Sequence, residues 1–402
     1  MKVWFQIAVF FILLSSNQCC AQIASQHVVQ HILDSSIIKK MNENCIVGLG
    51  ASVIVDKKQV WHQGYGFAGR TDKIAFTPST VMNIASISKT ITGVCLMKAV
   101  EQNKVSLDTD INNYLPFRII NPYFPDEKIT LRNLATHTSG LADRYPFYTD
   151  SLYTYAQDAR EPLGDFLKDY FVPGGKHYSK DNFLNHKPGT YRDYSNIGAG
   201  LAGYIVERQT GMKLNLYSRK YIFKPLGMKH TGWFFSEVNL KTHTKLYSKE
   251  ENLIKEIPLY SVVTYPDGGV RTTVDDLSRF FIFLLNDGKY KGKQIFKKES
   301  IQEMMRFQFT KDHTPGNVNP DKLNSGLFWA TKMSATRIGH NGSDPGVRTF
   351  MLSDLNKEVA VILFSNTSLT ESEEDKFFDI YNDLYKFGLI IKNAQSKAPD
   401  KH

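Results

Sequence analysis

Cysteine is scarce in this chain: four in 402 residues, with Cys19 and Cys20 inside an unusual N-terminal stretch. A disulfide-stapled scaffold is thereby excluded, and the fold must rest on its core. No run beyond residue 14 is apolar enough to span a bilayer. Internal repeats and low-complexity linkers are missing, which removes solenoids and tethered arrays from consideration. The net charge is +9, yet the lysines are interleaved with acids. Without a basic block there is no arm for nucleic acid. The charge reads as a solvated surface, with weak attraction to anionic cell-envelope polymers as a side effect.

Hydrophobic residues at 42% and charged residues at 22% suit a globular protein with a sizeable core. Met1-Lys2 precedes the apolar stretch Val3 to Leu14 and then the small and polar residues Ser15 to Ala21. That order is the pattern of a secretory signal peptide, with cleavage expected near Ala21 and a mature chain starting at Gln22. The stretch is short for a spanning helix, so no stable membrane insertion is expected after cleavage. The expected location is secreted or periplasmic. Cys45 and Cys95 then remain, read as two buried free thiols.

Helical spacing of apolar residues from Ile23 to Met41 predicts an exposed N-terminal helix. Cys45 to Val55 and Gln59 to Phe67, about the turn Asp56-Lys57-Lys58, predict a β-hairpin. A helix is expected from Ser86 to about Asn103, a short one over Ile129 to Leu141, and another from Ser195 to a stop at Gly211. Thr273 reads as an N-cap. The aromatic stretch from Asp143 to Asn185 lacks clean periodicity and reads as a packed irregular layer. Strands return at Arg337 to His340, Val347 to Leu352 and Val359 to Phe364, and a last helix covers Glu371 to Leu389. Strands at both ends of the chain with helices between them predict one discontinuous α+β domain over 22–392. Its sheet lobe would take about 22–110 and 265–392, its helical lobe about 111–264, and 393–402 would form a flexible tail.

Ser86 and Lys89 stand three residues apart, ahead of the apolar run Ile91 to Met97. At the start of a helix this spacing puts both side chains on one face, with the amine in reach of the hydroxyl. The positive end of the helix steadies a serine alkoxide, and burial is expected to lower the lysine pKa so that a neutral amine serves as base. The spacing alone is weakly specific, since Ser36 and Lys39 repeat it in an ordinary amphipathic helix. Further elements must agree. Tyr194-Ser195-Asn196 holds the only Tyr-x-Asn of the chain, just before a helix. It offers a proton donor, or else Ser195 or Asn196 is simply a helix cap. His340-Asn341-Gly342-Ser343 precedes an apolar strand, and its glycine admits a close backbone approach. His62-Gln63-Gly64 and His230-Thr231-Gly232 share the pattern but lack the order and the strand setting.

Ser86-x-x-Lys89, Tyr194-x-Asn196 and His340-x-Gly342, in that order, resemble the three motifs of the penicillin-recognising serine hydrolases. The branch is the one with class C β-lactamases, D-alanyl-D-alanine carboxypeptidases and related esterases. Ile129 to Leu141, Lys187-Pro188-Gly189-Thr190, Pro225-Leu226-Gly227-Met228 and Gly268 to Thr273 are similar to landmarks of the same family. The resemblance implies an antiparallel sheet flanked by helices with an all-helical lobe. It implies Ser86 as the acylated nucleophile, Lys89 as its base, Tyr194 as proton relay and Asn196 as partner of the substrate's acyl amide. The oxyanion hole would be the backbone N–H groups of Ser86 and Ser343. No metal or cofactor is implied. The partner would be a small-molecule or peptide substrate of cell-wall type, with D-Ala-type peptides or β-lactams ahead of simple esters.

One residue departs from the class C pattern, where lysine stands in place of His340. A histidine near neutral pH is mostly uncharged, so a substrate carboxylate loses a cation. Arg348, on the following strand, is a candidate substitute, or else a surface arginine. Besides hydrolysis, a penicillin-binding module that acylates without turnover and a non-catalytic scaffold are the other function classes.

Overall fold

The computed structural model describes residues 28–250 and 253–396. The signal-like segment, Cys19 and Cys20 lie outside the described residues, as do 397–402 of the expected tail. Residues 393–396 continue the last helix.

The chain divides into two compact units. One comprises the termini. Its helices are α1, residues 28–43, and α5, Glu371–Ser396. Asp383 on α5 accepts a hydrogen bond from Ser36 Oγ at 2.6 Å and pairs with Lys40 at 2.5 Å. Leu33, Ile37 and Met41 are buried while Val28 and Ile32 stay exposed, so α1 is amphipathic rather than exposed all round. The second Ser-x-x-Lys is thereby explained: Ser36 holds Asp383, and Lys39 faces Glu43 on the surface.

The other unit runs from Ile46 to Leu369. Its sheet has seven strands: β1 Gly48–Val55, β2 Lys58–Gly69, β3 Ile74–Ala75, β4 Ala330–Lys332, β5 Arg337–Asp344, β6 Val347–Asp354 and β7 Val359–Ser365. The order is β4-β5-β6-β7-β1-β2-β3, antiparallel throughout. The hairpin β1–β2 turns at Asp56 and Lys57, both with positive φ, as a tight two-residue connection demands. Every residue of β1 and β7 is buried, because these central strands are covered on both faces. Helix α4, Val274–Leu285, packs on β1, β2 and β7, and Thr273 caps it by accepting from the Asp276 N–H. This is the antiparallel sheet flanked by helices that the resemblance implies.

Helix α2, Ser88–Glu101, packs against α3, Asn196–Thr210. Gly211 ends α3 with φ +67°. The short helix expected over Ile129 to Leu141 is only Leu131–Ala135, boxed at its start by Thr130 and Asn133. The middle of the chain is mainly helical but also carries two short ladders, Tyr153–Tyr155 with Tyr260–Val262 and Leu246–Glu250 with Leu253–Ile257. Cys95 is buried in α2 and Cys45 is exposed; both are free. The expectation of two buried thiols thus fails at Cys45, which follows the first helix in a positive-φ turn.

Arg271 is fully buried beside the Gly268-Gly269 turn. Its guanidinium donates to the carbonyl oxygens of Trp233, Gly269 and Tyr260. These hold the turn against the Tyr260–Val262 strand. Arg271→Ala should orphan three buried carbonyls and cost roughly 3–5 kcal/mol of unfolding free energy. Denaturant melts of the parent and the variant measure this, and a loss under about 1 kcal/mol would dismiss the guanidinium as the clamp.

Candidate active site

Ser86 sits in a single 3-10 turn, Ala85–Ile87, directly before α2. Ala85 takes φ +48°, a conformation uncommon for a residue with a side chain, and this presents Ser86 at the helix entrance. Lys89, on the first turn of α2, is fully buried. Its Nζ donates to Ser86 Oγ at 3.1 Å, to Asn196 Oδ1 at 2.7 Å and to the carbonyl oxygen of Asp267 at 2.9 Å. All three ammonium donors are thus used. Burial disfavours the charged form, but Tyr194, Asp267 and Asp143 outweigh it, and the Lys89 pKa is raised. The expected lowering is therefore corrected: the amine keeps its proton in the resting site, because burial here comes with three acceptors and nearby negative charge.

Tyr194 joins this centre from the segment before α3, with Lys89 Nζ 5.0 Å from the centre of its ring. Its hydroxyl is buried and has no hydrogen-bond partner among the described residues. His137, from the Thr136-His137-Thr138-Ser139-Gly140 stretch, stacks on Tyr194 with ring centres 4.3 Å apart. His137 Nδ1 accepts from the Ser195 N–H at 3.2 Å. Burial together with Arg192 and Lys89 keeps its pKa well below the ordinary value. Asp143 accepts from Ser195 Oγ and from the N–H groups of Asn196 and Ile197, while Ser195 Oγ caps Gly198 N–H. Within Tyr194-x-Asn196, Ser195 is the helix cap, and the flanking residues face Lys89.

Strand β5 closes the site. A Cβ on Gly342 would stand 2.5 Å from the Ile84 carbonyl oxygen and 2.9 Å from the Ala85 Cβ, so only glycine lets the strand lie against the Ser86 turn. Thr349 Oγ1 on β6 donates to the same Ile84 carbonyl at 3.1 Å. His340 is buried, and burial with Lys332 and Lys89 holds its pKa well below the ordinary value. Its Nδ1 lies 2.6 Å from the Asn341 carbonyl oxygen. A carbonyl only accepts, so Nδ1 carries the proton and Nε2 presents a lone pair.

These groups line a cleft of about 480 Å³. Ser86, Tyr194, Asn196, His340 and Ser343 are in its wall; Arg348 is not. Arg348 Nη1 donates to the Gly342 carbonyl at 3.0 Å, and its guanidinium lies over Phe350 at 4.9 Å. Arg348 is opposite Ser343 in the β5–β6 ladder, but with its guanidinium held at the Gly342 carbonyl it is not in the cleft wall. The cation in the cleft wall is Lys332, at the end of edge strand β4, which makes no hydrogen bond or ion pair with the described residues. Burial, with Arg192, Arg348 and Lys89 nearby, pushes its pKa down to about 8. Eight residues before His340, it belongs to no motif.

The aromatic stretch was read as a packed layer ahead of a ligand-stacking wall, and Tyr145, Tyr148 and Tyr153 line the cleft. So do Asp267 and Asp344. Asp267 accepts from Thr264 Oγ1 at 2.5 Å and from the Tyr148 hydroxyl at 3.3 Å. Burial, reinforced by Asp344 and Asp143, pushes its pKa up to about 7 against the pull of Lys89 and Thr264. His62 instead pairs with Asp275, and neither it nor His230 lines the cleft. Among the described residues no group of three His, Cys, Asp or Glu side chains comes together to hold a metal ion. The chemistry on offer is proton transfer at a hydroxyl beside a fixed ammonium.

The sequence profile of the Beta-lactamase family matches residues 33–381. Among curated proteins, the chain is similar to Protein flp of Staphylococcus aureus (strain MW2), 24% identical over 343 residues, which are 84% of this chain and 63% of that protein. It is also similar to a Beta-lactamase of Providencia stuartii, 28% identical over 282 residues, 70% of this chain and 66% of that one. The chain thus spans just under two thirds of the length of these relatives. Among solved structures, the octameric penicillin-binding protein homologue from Pyrococcus abyssi superposes with a TM-score of 0.69 at 23% identity, covering 92% of this chain and 78% of that one. The D-amino acid amidase from Ochrobactrum anthropi SV3, complexed with L-phenylalanine amide, gives 0.69 at 21%, covering 92% and 99%. At these identities the likeness is one of fold.

The raised Asp267 pKa has a sign that can be measured. Between the ordinary value of 3.8 and about 7, the folded carboxyl holds a proton that the unfolded one has released. Stability therefore falls as pH rises through that window. Asp267→Asn removes the titration, so its unfolding free energy should gain on the parent by about 2–4 kcal/mol between pH 4 and pH 7.5. His137 and His340 titrate alike in both proteins and cancel in the difference. Parallel curves would mean that the carboxyl is unperturbed.

Proposed function

The chain belongs to the Beta-lactamase family, and from that premise we propose that it is a serine hydrolase that cleaves amide or ester bonds through an acyl-enzyme on Ser86. The observation that carries this reading is the buried Lys89 ammonium bonded to Ser86 Oγ, with Tyr194 beside it. The reacting form is the one in which Lys89 Nζ and Tyr194 Oη together have released one proton to solvent; Ser86 Oγ then bonds to the substrate carbonyl carbon as its proton passes to that pair. The carbon–nitrogen or carbon–oxygen bond then breaks, and the pair returns the proton to the leaving amine or alcohol. Water attacks the acyl-enzyme along the reverse path and restores Ser86. The close approach of Gly342 to the Ala85 turn supports a pair of backbone donors, from Ser86 and Ser343, for the oxyanion. Asn196 holds Lys89 with its oxygen and would meet the substrate's acyl amide with its other amide atom.

D-Ala-type peptides or β-lactams, which carry a carboxylate, are the proposed substrate class. Lys332 supports it, being a cleft cation without a carboxylate partner among the described residues. His340 Nε2 would add an acceptor for a substrate N–H. The Met1 to Ala21 pattern supports export of the chain.

Intact-protein mass spectrometry with a penicillin should give a covalent adduct of the parent and none of Ser86→Ala. Lys89→Ala should lower kcat/KM at least about 1000-fold and Tyr194→Phe about 100-fold. Lys332→Ala should raise KM for carboxylate-bearing substrates about tenfold and leave kcat within a few-fold. Hydrolysis by Ser86→Ala at the parent's rate would refute the acyl-enzyme.

A further inference from the structure

Side chains at alternate positions of a strand share a face. On β5 these are His340, Gly342 and Asp344, with Gly342 against the Ala85 turn. His340 and Asp344 are therefore roughly 13 Å apart along the strand, on either side of the Ser86 turn. The two ends differ in charge. On the His340 side stands Lys332. On the Asp344 side stand Asp344, Asp267 and the rings of Tyr145, Tyr148 and Tyr153.

Asp344 Oδ1 accepts from the Tyr153 hydroxyl at 2.6 Å, while Oδ2 accepts no hydrogen bond from the described residues. Gly268 leaves the way open between that oxygen and the nucleophile. A Cβ there would stand 3.6 Å from Asp344 Oδ2 and 4.0 Å from the Ala85 carbonyl carbon. Tyr148 packs 5.7 Å from Tyr145 and 6.3 Å from Tyr153, ring centre to ring centre. Such rings attract a cation through their faces. Lys89 is the one cation that bears on Asp344, and its own donors are already spent on Ser86, Asn196 and the Asp267 carbonyl. Burial accordingly raises the Asp344 pKa to about 6, so at neutral pH the group is mostly an unpaired carboxylate that a bound cation would relieve.

We propose that Asp344, walled by Tyr145, Tyr148 and Tyr153, is an amine-binding subsite that selects substrates with a free protonated amine on the acyl portion. The proposal rests on the acyl-enzyme reading for which bond is cleaved, but not for the binding of the amine. With Lys332 at the opposite end, the favoured substrate is a short aminoacyl compound, positive on the acyl side and negative on the leaving side.

The full chain carrying Ser86→Ala, which cannot turn over, is titrated calorimetrically at pH 7 with D-alaninamide and with N-acetyl-D-alaninamide. The free amine should bind at least tenfold more tightly. In Ser86→Ala/Asp344→Asn that ratio should fall below about threefold, with binding of the acetylated ligand unchanged as the control for folding. A ratio below threefold with Asp344 intact overturns the proposal, as does a tenfold ratio that survives Asp344→Asn. If the double variant does not fold, the ratio on Ser86→Ala decides alone. Hydrolysis of the matching p-nitroanilides by the parent is read separately. No turnover alongside a tenfold binding preference would sink the acyl-enzyme and leave the amine subsite standing.

Discussion

The buried ammonium of Lys89 is the constraint on which the rest of the site depends. A charge taken fully out of water is tolerable only if its donors are matched and opposite charge is near. Its three acceptors come from the turn before α2, the start of α3 and the Asp267 loop. Three segments far apart along the chain must therefore arrive at one point. Each arrival has its own support: Ala85 in a positive-φ turn, Asp143 at the N-terminus of α3, and Arg271 beneath the Gly268-Gly269 turn.

The sheet completes the geometry by contact rather than by hydrogen bonding. Gly342 removes the one side chain that would hold β5 away from Ile84 and Ala85. Once the strand lies there, its alternation decides what flanks the nucleophile, and the flanks are chemically unlike. His340 is neutral and presents a lone pair; Asp344 is acidic and half-satisfied. The edge strand β4 then brings Lys332 to the same cleft. Where the class C pattern has a lysine this chain has His340, and a lysine stands instead on a neighbouring strand, at a different place and with a lowered pKa.

The local parts of this arrangement were legible in the residues. Ser86 and Lys89 meet because of helical spacing, and Ser195 and Thr273 cap helices because a hydroxyl can accept from an N–H one turn ahead. The strands at both ends of the chain do form one sheet, with β7 and β1 as its central neighbours. The failures are those of reasoning along the chain. Arg348 was a candidate for the cleft, but its guanidinium is held at the Gly342 carbonyl and is not in the cleft wall. The tyrosines of the 143–185 stretch have no periodicity to reveal their side, and only the ladder to Tyr260–Val262 brings Tyr153 to Asp344. The Lys89 pKa was expected to fall because burial alone lowers it, and the charges that reverse the sign are remote in sequence.

The sequence by itself determined which segments form helices and strands, the order of the three motifs, and the Ser86–Lys89 contact. Each of these depends on residues within a turn or two of one another, or on the periodicity of a single element. Only the tertiary structure decided the charge of Lys89, the tautomer of His340, and the presence of Asp267, Asp344 and Lys332 around the nucleophile. Those are long-range properties: they depend on desolvation and on neighbours brought together by sheet pairing, and neither is written in the spacing of residues along the chain.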